Sequence, residues 1–172
     1  MDLNKNIVLT GMMGSGKSTI GNLLSSRLDL KFFDIDIEIE KKLGLKIKEI
    51  FEIKGEDFFR KIEEKTTIKL LNDGGKVISL GGGGFLNRRI RKEIIKNHLS
   101  FWLNWKSSTI INRIIKSKKR PLLKGLNEEE IKKIIIKRIK FYEKANYKIN
   151  CEDLSKNMLV KQIMDLYASN KN

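Results

Sequence analysis

The stretch GMMGSGKST, Gly11 to Thr19, constrains this chain more than any other, because it meets G-x-x-x-x-G-K-[ST] at every fixed position. It also lies between a short apolar run and an amphipathic one, the context in which such a loop binds phosphate. Gly11, Gly14 and Gly16 let the backbone wrap until successive N–H groups face one anion, and the helix that follows adds the positive end of its dipole. Lys17 can then reach the β- and γ-phosphates of a nucleoside triphosphate, and the Ser18 hydroxyl can ligate Mg²⁺. The expected nucleotide contacts are Gly11, Gly14, Ser15, Gly16, Lys17, Ser18 and Thr19.

Around that loop the chain alternates apolar runs with helical patterns. Strands are predicted at 6–10, 31–34, 76–80, 99–103 and 147–150, and helices at 17–28, 57–71, 88–96, 107–116, 128–144 and 155–168. A βα order of this kind specifies an α/β fold: a five-stranded parallel sheet with helices on both faces, in three layers. The chain's 172 residues suit a single domain. The basic stretch KSKKRPLLKGLNEEE, 116–130, contains the sole proline and has no regular pattern, which marks a long loop, either functional or disordered.

No apolar run is long enough to cross a membrane, and the N-terminal run is too short for a secretory signal. The single cysteine, Cys151, cannot close an internal disulfide, so a cytoplasmic location is expected. A net charge of +15 would draw polyanions. Lysine is spread over the whole chain, however, and no basic segment is interleaved with aromatics that stack bases, so nucleic acid is not an expected partner. His98, the only histidine, reads as structural.

The third predicted strand, VISL, ends in the glycine run Gly81–Gly84 and not in the metal-orienting acid common beside such loops. The missing carboxylate is sought in FFDID, where Asp34 and Asp36 close the second strand at the same carboxyl edge of the sheet as the phosphate loop. As extended residues two apart they would share one face. One would orient the Mg²⁺ hydration shell and the other address an acceptor; a solvated strand end or a helix cap is the alternative. On a helical wheel of 131–142, Arg138 falls among Ile131, Ile134, Ile135, Ile139 and Tyr142, inside the apolar face. A charge there either anchors an internal acid or presents a fork to an anionic ligand. Arg60, three and four residues before Glu63 and Glu64, fits a helix-surface ion pair. Arg113 and Arg120, the latter within the basic loop, are either exposed or brought to the transferring phosphate when a lid closes.

Taken in order, GMMGSGKSTIG, FFDID, GEDFFRKIE, SLGGG, RPLL and KRIKFYEKANYKI resemble the shikimate kinase family over nearly the whole chain. The resemblance implies a P-loop kinase fold with a mobile lid, the phosphate loop at 11–18, an acceptor-binding region at about 34–63 and the lid at about 113–126, all in one domain, 1–172. It implies MgATP-dependent phosphorylation of the 3-hydroxyl of shikimate, in the aromatic biosynthesis that leads to chorismate, by a monomer. Asp36 would bind the shikimate hydroxyls and accept the proton. Asp34 would help hold Mg²⁺ with Ser18, and Arg60 and Arg138 would hold the carboxylate. Gly81, Gly82 and Gly83 would line the acceptor site. Arg120 would join Lys17 in catalysis from the lid, and Arg113 would stack near adenine. Ile35 stands where Thr or Ser is commoner, Gly84 extends the triplet, and Cys151–Asp153 match weakly.

Overall fold

Ile7–Thr10 form β1, and all four residues are buried. A strand covered on both faces belongs at the centre of a parallel sheet. In a computed structural model, which describes residues 5–116 and 126–170, β1 lies third in a sheet ordered β2-β3-β1-β4-β5. The other strands are β2 (Lys31–Asp34), β3 (Lys76–Ser79), β4 (Leu99–Asn104) and β5 (Tyr147–Asn150), and every neighbouring pair is parallel. The expected sheet is therefore present, with ends shifted by a residue or so: Asn6 and Leu80 fall outside their strands and β4 runs on through Asn104.

Alternation along the strands supplies two cores. Val8, Ile78 and Trp102 face one layer, which also draws on α2 (Ile35–Leu43), α3 (Ile47–Leu71), α4 (Arg88–Asn97), α5 (Ser107–Lys116) and α6 (Glu128–Tyr142). Ile7, Leu9, Val77, Phe101 and Leu103 face the other, against Ile20 and Leu24 of α1 (Lys17–Leu28) and Leu159 and Ile163 of α7 (Lys156–Ala168). Asn6, just before β1, joins the opposite end of the sheet: its Oδ1 accepts from Lys76 N at 3.0 Å and its backbone N–H donates to His98 Nδ1 at 3.4 Å. His98 thus has the structural place expected of it.

The helices depart from the pattern in two places. First, α2 was not anticipated, because Ile35, Ile37 and Ile39 alternate with acids in a strand-like period of two. Only the i, i+4 pair Ile35 and Ile39 is buried, while Ile37 is 47% exposed. The Asp34 side chain caps the helix by accepting from Asp36 N at 3.1 Å. Asp34 and Asp36 are consequently not two extended residues on one face, as the spacing suggested: Asp34 ends a strand and Asp36 sits in the first helical turn. Second, the helix expected at 57–71 begins at Ile47, with a break at Gly55, where φ is 78° and ψ is 172°. An L side chain rarely adopts that φ, so glycine is what lets two helices meet end to end there. The ends of α4, α6 and α7 differ from expectation by one or two residues, and Ser155 caps α7 instead of opening it. The predicted lid, including Arg120, lies largely in 117–125, outside the described residues.

The helical reading of α2 predicts unequal costs for two like substitutions. Ile39→Ala should lower unfolding free energy by about 2–4 kcal/mol, and Ile37→Ala by no more than about 0.5–1 kcal/mol. Urea denaturation of both variants checks this; equal losses would contradict a helix with one buried stripe.

Candidate active site

The phosphate loop follows β1 directly. Gly11, Gly14 and Gly16 have φ of 135°, 83° and 89°, so the loop's path has positive φ at both fixed glycines and at Gly14 between them. Ser15 N donates to Met12 O at 3.1 Å, closing the turn. Lys17 is buried, and its Nζ donates to Gly11 O and Met12 O, each at 2.9 Å, so the cation spans the mouth of the loop. From outside, Trp105 Nε1 donates to Ser15 O at 2.9 Å and Arg113 Nη1 to Gly14 O at 3.2 Å. Thr19 is exposed on the first turn of α1.

Ser18 Oγ donates to Asp34 Oδ2 at 2.5 Å. Both are hard oxygen donors beside the phosphate loop. Mg²⁺ usually takes one or two such protein oxygens and completes its shell with phosphate and water. The donor set fits Mg²⁺ on that basis.

Across the end of β3 the glycine run forms a floor under four charged side chains. A β-carbon at Gly81 would stand 2.7 Å from Asp36 Oδ1 and 2.8 Å from Glu63 Oε1. At Gly82 it would meet Met13 N at 3.3 Å and Arg138 Nη1 at 3.4 Å, and at Gly83 it would meet Arg60 Nη1 at 2.5 Å. The run is bare because side chains from α2, α3 and α6 occupy the space above it. Gly84, which the sequence left without a role, opens a short 3₁₀ turn (Gly84–Leu86) by donating to Gly81 O at 3.0 Å.

Charge in this pocket is tightly paired. Arg60 reaches Glu63 at 2.7 Å and Glu56 at 2.9 Å, and Glu63 is no surface partner: its side chain is 2% exposed. Burial works against the Arg60 charge, but the two glutamates more than compensate and hold its pKa above the usual value. Burial raises the Glu63 pKa against the pull of Arg60 and Arg138, and its Oε1 accepts no hydrogen bond from the described residues. Asp36 is pushed up to about 6, first by burial, then by the charges of Asp34 and Glu63, with Lys17 and Arg60 opposing. Arg138 donates to Gly82 O at 3.4 Å, so its place in an apolar stripe does point it at the glycine run. Tyr142 OH also donates to Gly82 O, at 2.5 Å, and burial pushes its pKa up to about 12, keeping the phenol a donor.

Lys17, Ser18, Asp34, Asp36, Arg60, Gly81–Gly83 and Arg138 therefore come together at one end of the sheet, while Arg113 stands on the far flank of the phosphate loop. Sequence reasoning missed Glu63, Tyr142 and Trp105 as parts of the site. Glu63 was counted only as an ion-pair partner and Tyr142 only as apolar. At Cys151–Asp153, Cys151 N donates to Asn104 O at 2.9 Å, and Glu152 accepts from Lys106 N at 2.7 Å at the start of α5.

A parallel sheet with a phosphate loop at its carboxyl edge, beside a cluster of carboxylates and guanidiniums over a glycine run, has the build of a P-loop kinase. Deoxyadenosine kinase from M. mycoides shares the fold alone, with a TM-score of 0.60 at 18% identity over 96% of this chain and 99% of its own. The family model for shikimate kinase matches residues 13–168. A shikimate kinase of Sulfurihydrogenibium sp. (strain YO3AOP1) is 42% identical over 160 residues, 93% of this chain and 96% of the relative. The structure of shikimate kinase from Acinetobacter baumannii in complex with shikimate superposes with a TM-score of 0.90 at 33% identity, covering 99% and 96% of the two chains. The chain belongs to the shikimate kinase family.

The raised Asp36 pKa has a consequence for stability. Its folded value, about 6, lies above the ordinary 3.8, so the ionised carboxylate costs the folded state. That cost is absent below about pH 4, builds between there and pH 6, and is complete above. Asp36→Asn should therefore raise the melting temperature at pH 8 and leave it nearly unchanged at pH 4; scanning calorimetry at both values measures it, and a loss at pH 8 would refute the sign.

Proposed function

We propose that this pocket is where the chain carries out the ATP-dependent phosphorylation of the 3-hydroxyl of shikimate, the reaction its family membership gives it. The observation that carries the reading is the floor at Gly81–Gly83, over which two carboxylates, Asp36 and Glu63, and two guanidiniums converge, with Lys17 close enough to act on the Asp36 charge. Arg60 and Arg138 bind the acceptor's carboxylate. The ring lies among the side chains that close over Gly81–Gly83, and Asp36 orients the hydroxyl and takes its proton. A carboxylate with a pKa of about 6 is ionised at neutral pH yet more basic than an ordinary aspartate, which suits a base working there.

On the donor side, Gly11, Gly14, Ser15, Gly16 and Thr19 wrap the phosphates, and Lys17 exchanges the carbonyls of Gly11 and Met12 for phosphate oxygens. Ser18 and Asp34 hold Mg²⁺, which neutralises phosphate charge when bound. Arg113 supports the base of the nucleotide, and Arg120 reaches the transferring phosphate from a lid at about 113–126. The domain is taken as 1–172, the acceptor region as about 34–63. Both substrates find their groups within one chain, which supports a monomer, and we assign it to the cytoplasm. Sedimentation at assay concentration should give a single species of about 20.0 kDa.

Coupled ADP release with shikimate, gluconate and RNA tests the assignment: turnover with shikimate is expected, and silence with it alongside stimulation by RNA would overturn it. Asp36→Asn should lower kcat about 10²-fold or more, with ADP binding intact. Arg138→Ala should raise the KM for shikimate at least about tenfold, the scale of a lost charged hydrogen bond. Near-normal turnover by the first variant would remove Asp36 from the base role, and an unchanged KM in the second would make Arg138 structural.

A further inference from the structure

Trp105 has no part in the reaction as proposed above, yet it touches the phosphate loop. It is the first residue after β4, and β4 lies directly beside β1, so a side chain leaving the end of one strand reaches the loop leaving the other. Its indole Nε1–H donates to Ser15 O at 2.9 Å. The Arg113 guanidinium lies over the indole, 3.7 Å from the ring centroid, while its Nη1 donates to the neighbouring carbonyl, Gly14 O, at 3.2 Å. The start of α5, which carries Arg113, is tied to the end of β5 by Glu152, which accepts from Lys106 N at 2.7 Å and from Thr109 Oγ1 at 3.1 Å. Strand end, helix and loop thus form one closed set of contacts.

The peptide joining Ser15 and Gly16 is planar, so its C=O and N–H point in opposite directions. A carbonyl fixed toward Trp105 turns the Gly16 N–H the other way, into the loop. Gly16 cannot enforce this itself: it sits at φ 89° and ψ 15° before α1 with no side chain to cap the helix, and glycine crosses between signs of φ at little cost. The restraint has to come from outside the loop. The stack has a second effect, since a guanidinium with one face against an indole offers only the other to a purine ring.

We propose that Trp105 is a positioning residue for the nucleotide: it holds the Gly16 N–H toward the phosphates through the Ser15 carbonyl, and it sets the plane of Arg113. The proposal rests on the reading of Gly11–Thr19 as the ATP site. Trp105→Phe keeps a ring for Arg113 and removes the N–H donor; Trp105→Leu removes both. By calorimetry on the full chain, ADP affinity should fall about threefold to tenfold in Trp105→Phe, the scale of one hydrogen bond, and further in Trp105→Leu. The KM for ATP should rise in step while the KM for shikimate stays within about twofold. Two results overturn the proposal: ADP affinity unchanged in both variants, or equal rises in both KM values with a lowered Tm, which is the mark of a packing role. Failure of the parent chain to bind ADP would instead remove the nucleotide site itself, and this proposal with it.

Discussion

Parallel register is the constraint on which this site depends. Ser79 pairs with Leu9 on one side and with Asp34 on the other, so the glycine run, the phosphate loop and the acid all leave the sheet at one level. Leu80 N then donates to Leu9 O at 3.1 Å, which carries the alignment one residue past the end of β3. On the other flank Thr10 pairs with Trp102, so β4 ends two residues later at Asn104, and Trp105 just beyond it can reach Ser15. A sheet slipped by one residue would reverse every side chain between the two cores and separate donor from acceptor groups. The chemistry therefore inherits its alignment from backbone hydrogen bonds that are far from any substrate.

That alignment brings like charges together, and the pocket tolerates them only because each is matched. Asp34, Asp36 and Glu63 converge in partly or fully buried space, where an unpaired carboxylate would cost several kcal/mol. Arg60 meets Glu63, Arg138 faces the same carboxylate, and Asp34 accepts from Ser18 and from the Asp36 backbone. Asp36 receives the least direct compensation of the three, and its pKa carries the difference. Its basicity is thus a by-product first of burial over the glycine floor and then of the carboxylates packed beside it, with no separate device needed to produce it.

The phosphate loop, the strand order and most helices were legible because glycine spacing and apolar periodicity are local. The acids and arginines were legible as residues but not as geometry. Asp36 reads as extended because it follows the second strand two residues after Asp34, while the deciding factor is the Asp34 cap, a side-chain hydrogen bond no spacing reports. Glu63 carried no signal of burial, since an acid three residues after an arginine describes any helix surface. Tyr142 was hidden by its own ring, which satisfies an apolar stripe while its hydroxyl serves Gly82. Trp105, a lone aromatic after a strand, takes its meaning only from the loop that β1 brings alongside.

The glycine run shows why composition alone could not separate two kinds of bareness. In the phosphate loop glycine is required by backbone, since φ is positive at Gly11, Gly14 and Gly16. At Gly81, Gly82 and Gly83 it is required by neighbours, because a β-carbon would collide with Asp36 and Glu63, crowd Met13 N and Arg138, or strike Arg60. Gly84 belongs to neither set in full. A β-carbon there would lie 3.4 Å from Glu63 Oε1 and 3.5 Å from Leu80, tight without being impossible, while its own N–H closes the turn on Gly81. Its function is best understood through Glu63: the oxygen that accepts no hydrogen bond from the described residues has Gly81 and Gly84 as its wall, and a bare wall lets that carboxylate stay deep enough to engage Arg60.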